Sequence, residues 1–135
     1  MTLENLERLE LLLPLEKSET EFLYLIEKAK ELHTDSKRTE LSIQSRFQLA
    51  YEASFALALA ALRWHGYRPS GNRYVAFQAL SHTVELGREV ALLIKAHEMR
   101  NEIEYDAEPF DDHRFLEELI SINEILLQRV PRLKG

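Results

Sequence analysis

The stretch from Phe47 to Leu62 limits the fold more than any other part of this chain. It is apolar on nearly every side and rich in small residues: Ala50, Ala53, Ser54, Ala56, Ala58, Ala60 and Ala61. A segment apolar all round is buried, and small residues let neighbours approach closely. It predicts a central helix wrapped by others. The longest candidate run, Ala53 to Leu62, contains Ser54 and stops at Arg63. It is too short for the ~18 residues of a membrane span.

The remaining punctuation is that of helices. Ser18-Glu19-Thr20-Glu21 is a capping box, followed by Phe22, Leu25, Ile26, Ala29 and Leu32 at helical spacing. This predicts a helix to about His33. Thr34-Asp35-Ser36 offers the next N-cap, and the central helix is expected from about Lys37 to His65, with Gly66 just past its end. Arg68 to Asn72 reads as a turn. Asn72 or Ser70 caps a shorter helix with Tyr74, Phe77, Leu80 and Val84 inward. Glu85 to Tyr105 reads as helix, and Gly87 permits either a break or one continuous helix with the preceding segment. Asp106 to Asp112 is a loop containing Pro109. Asp111 or Asp112 caps a last helix carrying Phe115, Leu116, Leu119, Ile120, Asn123, Leu126, Leu127 and Val130, ended by Pro131. Leu3, Leu6, Leu9 and Leu13 suggest a leading helix halted at Pro14, or else an arm, over residues 1–16.

The expectation is one all-α domain over 1–135, an antiparallel four- to five-helix bundle. Phe47, Tyr51, Phe55, Leu62, Phe77, Leu93, Leu119 and Leu126 are assigned to its core. Only 8 Gly and Pro residues argue against a turn-rich sandwich or barrel, and the lack of Cys excludes disulfides and thiolate sites. The early acidic residues do not suit a signal peptide, so a cytoplasmic protein is expected. No cofactor or metal is expected: there is no phosphate loop or dinucleotide fingerprint, and His82, His97 and His113 lack ligand spacing on one helix.

Charge is unevenly placed. Residues 1–36 carry 4 basic and 9 acidic side chains, residues 37–100 carry 9 and 5, and residues 101–135 carry 4 and 9, for a net charge of −6. The basic middle suits a local phosphate site, or is a solvated helix face.

The amphipathic pattern breaks at the end of the 85–105 segment. Met99, Leu92, Ile103, Ala96, Leu93, Leu86, Val90 and Ile94 span a wide apolar arc on a helical wheel. Arg100, His97, Asn101 and Glu104 intrude on it, with Tyr105 at its edge. Two readings follow. Arg100 and Glu104 form a structural pair four residues apart, or Arg100 binds an anionic group, phosphate above all, in a polar pocket with His97 and Tyr105 as acid–base groups.

Arg100-Asn101-Glu102-Ile103-Glu104-Tyr105-Asp106, late on a helix, resembles the signature of the HEPN superfamily, small helical bundles of prokaryotic toxin–antitoxin and defence systems. That signature is Arg, often followed by Asn, then four residues, then His. The Leu49-to-Ala53 stretch on a long helix and the Arg63-to-Pro69 turn are similar to the family's second helix and the turn after it, and the likeness spans about residues 18–130. The resemblance implies a homodimer whose motifs face each other. In catalytic members it implies a metal-independent ribonuclease, with Arg and His meeting across that interface.

This chain departs from the motif. Tyr105 stands where the His belongs, and an ordinary tyrosine pKa near 10 makes a poor base at neutral pH. The expected function is a non-catalytic or degenerate module binding RNA, a nucleotide or a partner protein, such as a nucleotidyltransferase-like antitoxin. Arg100, Asn101 and Glu104 are its binding residues. The alternative is a metal-independent endoribonuclease using Arg100 with His97 or Tyr105 at a dimer interface.

Overall fold

The central helix is where its composition puts it. In this computed structural model, which describes residues 2–135, α3 spans Ile43–Trp64, and Phe47, Ala50, Tyr51, Ala53, Leu57, Ala58, Ala60, Ala61 and Leu62 on it are fully buried. Every other major helix packs on it. Before it comes α2, Glu19–Ser36, folded back as the other arm of a helical hairpin. After it come α4 (Arg73–Gln78), α5 (Leu80–Thr83), α6 (Glu89–Tyr105) and α7 (His113–Arg129), closed by a 3-10 turn at Pro131–Lys134. The protein is an all-α helical bundle with one very small sheet. No helix among the described residues is long and apolar enough to cross a membrane.

Side-chain caps explain most helix starts. Ser18 accepts from the Glu21 amide at 3.2 Å, Asn72 from the Tyr74 amide at 2.9 Å and Asp112 from the Phe115 amide at 2.9 Å. The expected cap at Thr34-Asp35-Ser36 is not used. Those residues continue α2, and Ser42 caps α3 through the Ser45 amide at 3.1 Å. Arg46 on the first turn of α3 donates back to the Ser36 carbonyl at 2.8 Å, which fixes the end of α2 against it.

The expectation for residues 1–16 needs correcting. Helix α1 covers only Leu3–Arg8, because Glu10 adopts a left-handed φ of 60° that stops the helical path. Leu12–Pro14 then forms β1, antiparallel to β2 at Tyr67–Pro69, with Leu12 opposite Pro69 and Pro14 opposite Tyr67. Part of the expected 68–72 turn is therefore strand. Leu6 and Leu12 are fully buried, so this segment contributes to the core.

Arg63 fastens it there. The side chain is 3% exposed and donates to the backbone carbonyls of Leu15 at 3.2 Å, Tyr67 at 3.4 Å and Glu16, and to the Glu21 carboxylate at 3.1 Å. One guanidinium thus ties the end of α3 to the leading segment, to β2 and to the first turn of α2. A buried arginine must meet such acceptors, since it keeps its charge.

Three smaller expectations are also corrected. Phe55 is half-buried, and Tyr74 is 38% exposed rather than inward. The 85–105 helix begins only at Glu89, because Glu85 takes a positive φ of 56° and the chain through Gly87 leaves the helical path. Of its apolar arc, Leu93 and Ala96 are buried, while Val90, Leu92, Ile94, Met99 and Ile103 are half-buried. Phe110, inside the 106–112 loop, is buried and stacks on Phe47 with ring centroids 4.3 Å apart. That contact anchors the loop and aims α7 back onto α3.

Candidate functional site

Arg100, His97, Asn101 and Glu104 lie along α6 where it meets α3 and α4. His97 enters a pocket walled by rings: Tyr51 lies parallel to it at 6.3 Å between centroids, and Phe77 is inclined to it at 6.1 Å. Its Nδ1 is 3.0 Å from the Tyr51 hydroxyl, and the Asn101 amide nitrogen is 3.5 Å from its Nε2. Tyr51 is itself fully buried, so its hydroxyl needs this partner.

Two arginines flank the same tyrosine. The guanidinium carbon of Arg100 is 5.7 Å from the Tyr51 ring centroid, and that of Arg73 is 5.9 Å from it. Arg73 also sits 4.3 Å over the ring of Phe55. Each arginine has a carboxylate beside it. Arg73 donates to Glu52 at 2.9 Å, and Arg100 lies 3.8 Å from Glu104, too long for a hydrogen bond. The Arg100 Nε is shielded from solvent and has no hydrogen-bond partner. Gln48 of α3 reaches Glu104 at 3.4 Å.

This environment sets the protonation states. Burial pushes the His97 pKa below its ordinary value, and the positive charges of Arg100 and Arg73 push it further down against the weaker pull of Glu98. His97 is therefore neutral at pH 7. Burial raises the Tyr51 pKa, with the two arginines opposing, so the phenol keeps its proton. The Tyr51 hydroxyl at Nδ1 and the Asn101 amide nitrogen at Nε2 thus occupy both ring nitrogens of His97.

Tyr105 is apart from this cluster. It ends α6 with 76% of its surface exposed. The structure thus gathers Arg100, His97, Asn101 and Glu104, and leaves Tyr105 outside. Sequence reasoning missed Arg73 and Glu52. They come from α4 and α3, and nothing in linear spacing links them to α6. Among the described residues no group of three or more His, Asp and Glu is placed to hold a metal. The arrangement offers two arginines to an anion, beside an imidazole whose two nitrogens already have partners. No protein family, curated protein or solved structure matches the chain.

Proposed function

We propose that this protein is a HEPN-like binding module that holds the phosphate groups of RNA or a nucleotide at Arg100 without cleaving them. The observation that carries this reading is the Tyr51–His97 hydrogen bond, which withdraws the one nearby imidazole from acid–base work. The Arg100 side chain is 19% exposed and lies 3.8 Å from Glu104, too far for a hydrogen bond, which supports anion binding. The Arg100-Asn101 pair supports the HEPN likeness, and the Tyr105 substitution supports loss of catalysis.

The setting we propose is cytoplasmic, in a toxin–antitoxin or defence-type system, with a nucleotidyltransferase-like protein as the partner class. A homodimer belongs to the same reading. The half-buried Val90, Leu92, Ile94, Met99 and Ile103 give α6 apolar surface for a second copy. Light scattering showing a monomer at high micromolar concentration would remove that part.

The test joins binding to melting. A labelled single-stranded RNA is titrated into the wild type and Arg100→Ala, each with a melting curve. Binding should vanish in the variant and the fold should hold, because a 3.8 Å pair with a 40% exposed Glu104 contributes little stability. A variant that melts early and binds normally would make Arg100 purely structural.

The second reading, a metal-independent ribonuclease, is favoured by the exposure of Tyr105, which leaves that side chain open to a second protomer. It predicts RNA cleavage by the wild type without metal, stopped by His97→Ala or by a change at Tyr105. The binding reading predicts no cleavage by the wild type, and Tyr105→His, which completes the family motif, is the change best placed to create some.

A further inference from the structure

Arg73 and Arg100 approach one tyrosine ring from two different helices, at 5.9 and 5.7 Å. Their separation cannot exceed the sum of those distances. Both remain open to ligand: the Arg73 side chain is 34% exposed and that of Arg100 is 19% exposed. Each is balanced by a carboxylate that is itself partly exposed, Glu52 at 34% and Glu104 at 40%. A pair that reaches solvent on both sides can exchange its carboxylate for another anion. A phosphate offers the same fork of acceptor oxygens as a carboxylate and binds arginine in the same bidentate way.

We infer that Arg73 and Arg100 form a two-point clamp for neighbouring phosphodiesters of single-stranded RNA, with Glu52 and Glu104 as internal stand-ins that the phosphates displace. This deepens the binding function proposed above and rests on it. The buried Tyr51 holds the two arginines at a fixed reach, and its ring face favours cations. Arg73 lies over the Phe55 ring, which keeps its guanidinium in place when Glu52 swings away. A ligand with one phosphate engages one arginine and has to compete with its carboxylate alone. A ligand with two gains the second contact intramolecularly, so the clamp selects a strand over a mononucleotide.

The experiment measures binding of a fluorescein-labelled oligouridylate across a salt series, with uridine monophosphate as competitor. The variants are Arg73→Ala, Arg73→Lys, Glu52→Gln and Arg100→Ala. Arg73→Ala should weaken binding about tenfold or more. It should also flatten the plot of log affinity against log salt by about 0.7, the loss of one phosphate contact on a single strand. Arg73→Lys should keep the salt slope. Glu52→Gln should tighten binding, since it removes the competing charge and leaves both arginines. Uridine monophosphate should compete poorly.

No binding by the wild type would end the underlying reading. Wild-type binding that needs Arg100 but is unchanged in affinity and slope by Arg73→Ala would overturn the clamp alone. Should Arg73→Ala melt early, Glu52→Gln decides: unchanged or weaker binding overturns the clamp. Equal competition by the monophosphate overturns the two-phosphate requirement.

Discussion

The Tyr51 hydroxyl and the His97 Nδ1 face each other at 3.0 Å across the contact between α3 and α6, with their rings nearly parallel. Tyr51 and Asn101 between them engage both ring nitrogens. Nitrogen chemical shifts of the His97 ring should show a neutral imidazole held in one tautomer at pH 7, and a protonated ring or a mixture of tautomers would return the imidazole to acid–base work. Tyr51→Phe should cost about 1 kcal/mol by chemical denaturation, the net worth of one buried hydrogen bond.

The two most buried histidines make the fold sensitive to mild acid. His33, 6% exposed between α2 and α7, has its pKa lowered by burial and then by Lys37, against Glu124 at 3.7 Å. His97 is lowered as well. In the unfolded chain both titrate near 6.5. As pH falls through that value the unfolded state takes up protons that the folded state refuses, so stability is lost from there down to the lowered folded values and levels off below them. Denaturation midpoints between pH 7.5 and 5 should decline in the wild type. They should decline less in His33→Gln, provided its carboxylates titrate as in the wild type.

Arg63→Ala should be among the most damaging single changes. It removes the one donor shared by the carbonyls of Leu15, Glu16 and Tyr67 and by the Glu21 carboxylate. A loss of about 1–3 kcal/mol is expected. Arg63→Lys should recover only part, because an ammonium cannot span acceptors on three segments. Limited proteolysis should cut the 1–16 segment first in both variants. Cleavage at wild-type rates would mean that Leu6 and Leu12 hold the segment unaided.

Asn123 is fully buried in α7. Its amide donates to the Ala50 carbonyl at 2.9 Å, and its carbonyl accepts from the Ser54 hydroxyl. Asn123→Ala should cost about 1–3 kcal/mol by leaving Ser54 without that acceptor and opening space. The double change Asn123→Leu with Ser54→Ala should cost less than the two single changes added together. Additive losses in that cycle would show that the two residues do not act as a pair.

Much of the bundle was legible because its signals are local. The alanine-rich face of α3, the caps Ser18, Asn72 and Asp112, and Gly66 after α3 with its φ of 84° all act within a few residues of themselves. The Arg100–Glu104 pair was legible for the same reason. The strand at Leu12–Pro14 was not, since three residues carry no period and their pairing with Tyr67–Pro69 is a tertiary fact. Tyr51 was legible as a core residue, yet only the fold shows that its hydroxyl meets His97. Arg73 and Glu52 escaped notice for that reason too: a site assembled from α3, α4 and α6 has no spacing along the chain.

The antiparallel pairing of Leu12–Pro14 with Tyr67–Pro69 also bears on the order of folding. These strands flank the whole α2–α3 hairpin in sequence, so their register cannot form until that hairpin has folded back and brought its two ends together. Loop closure on this scale is slow compared with helix pairing. The leading segment therefore docks late, and until residue 69 is available its leucines stay unburied. Amides of β1 should gain protection from hydrogen exchange after those of α2 and α3, with the Arg63 guanidinium closing the structure as the last of its acceptors arrive.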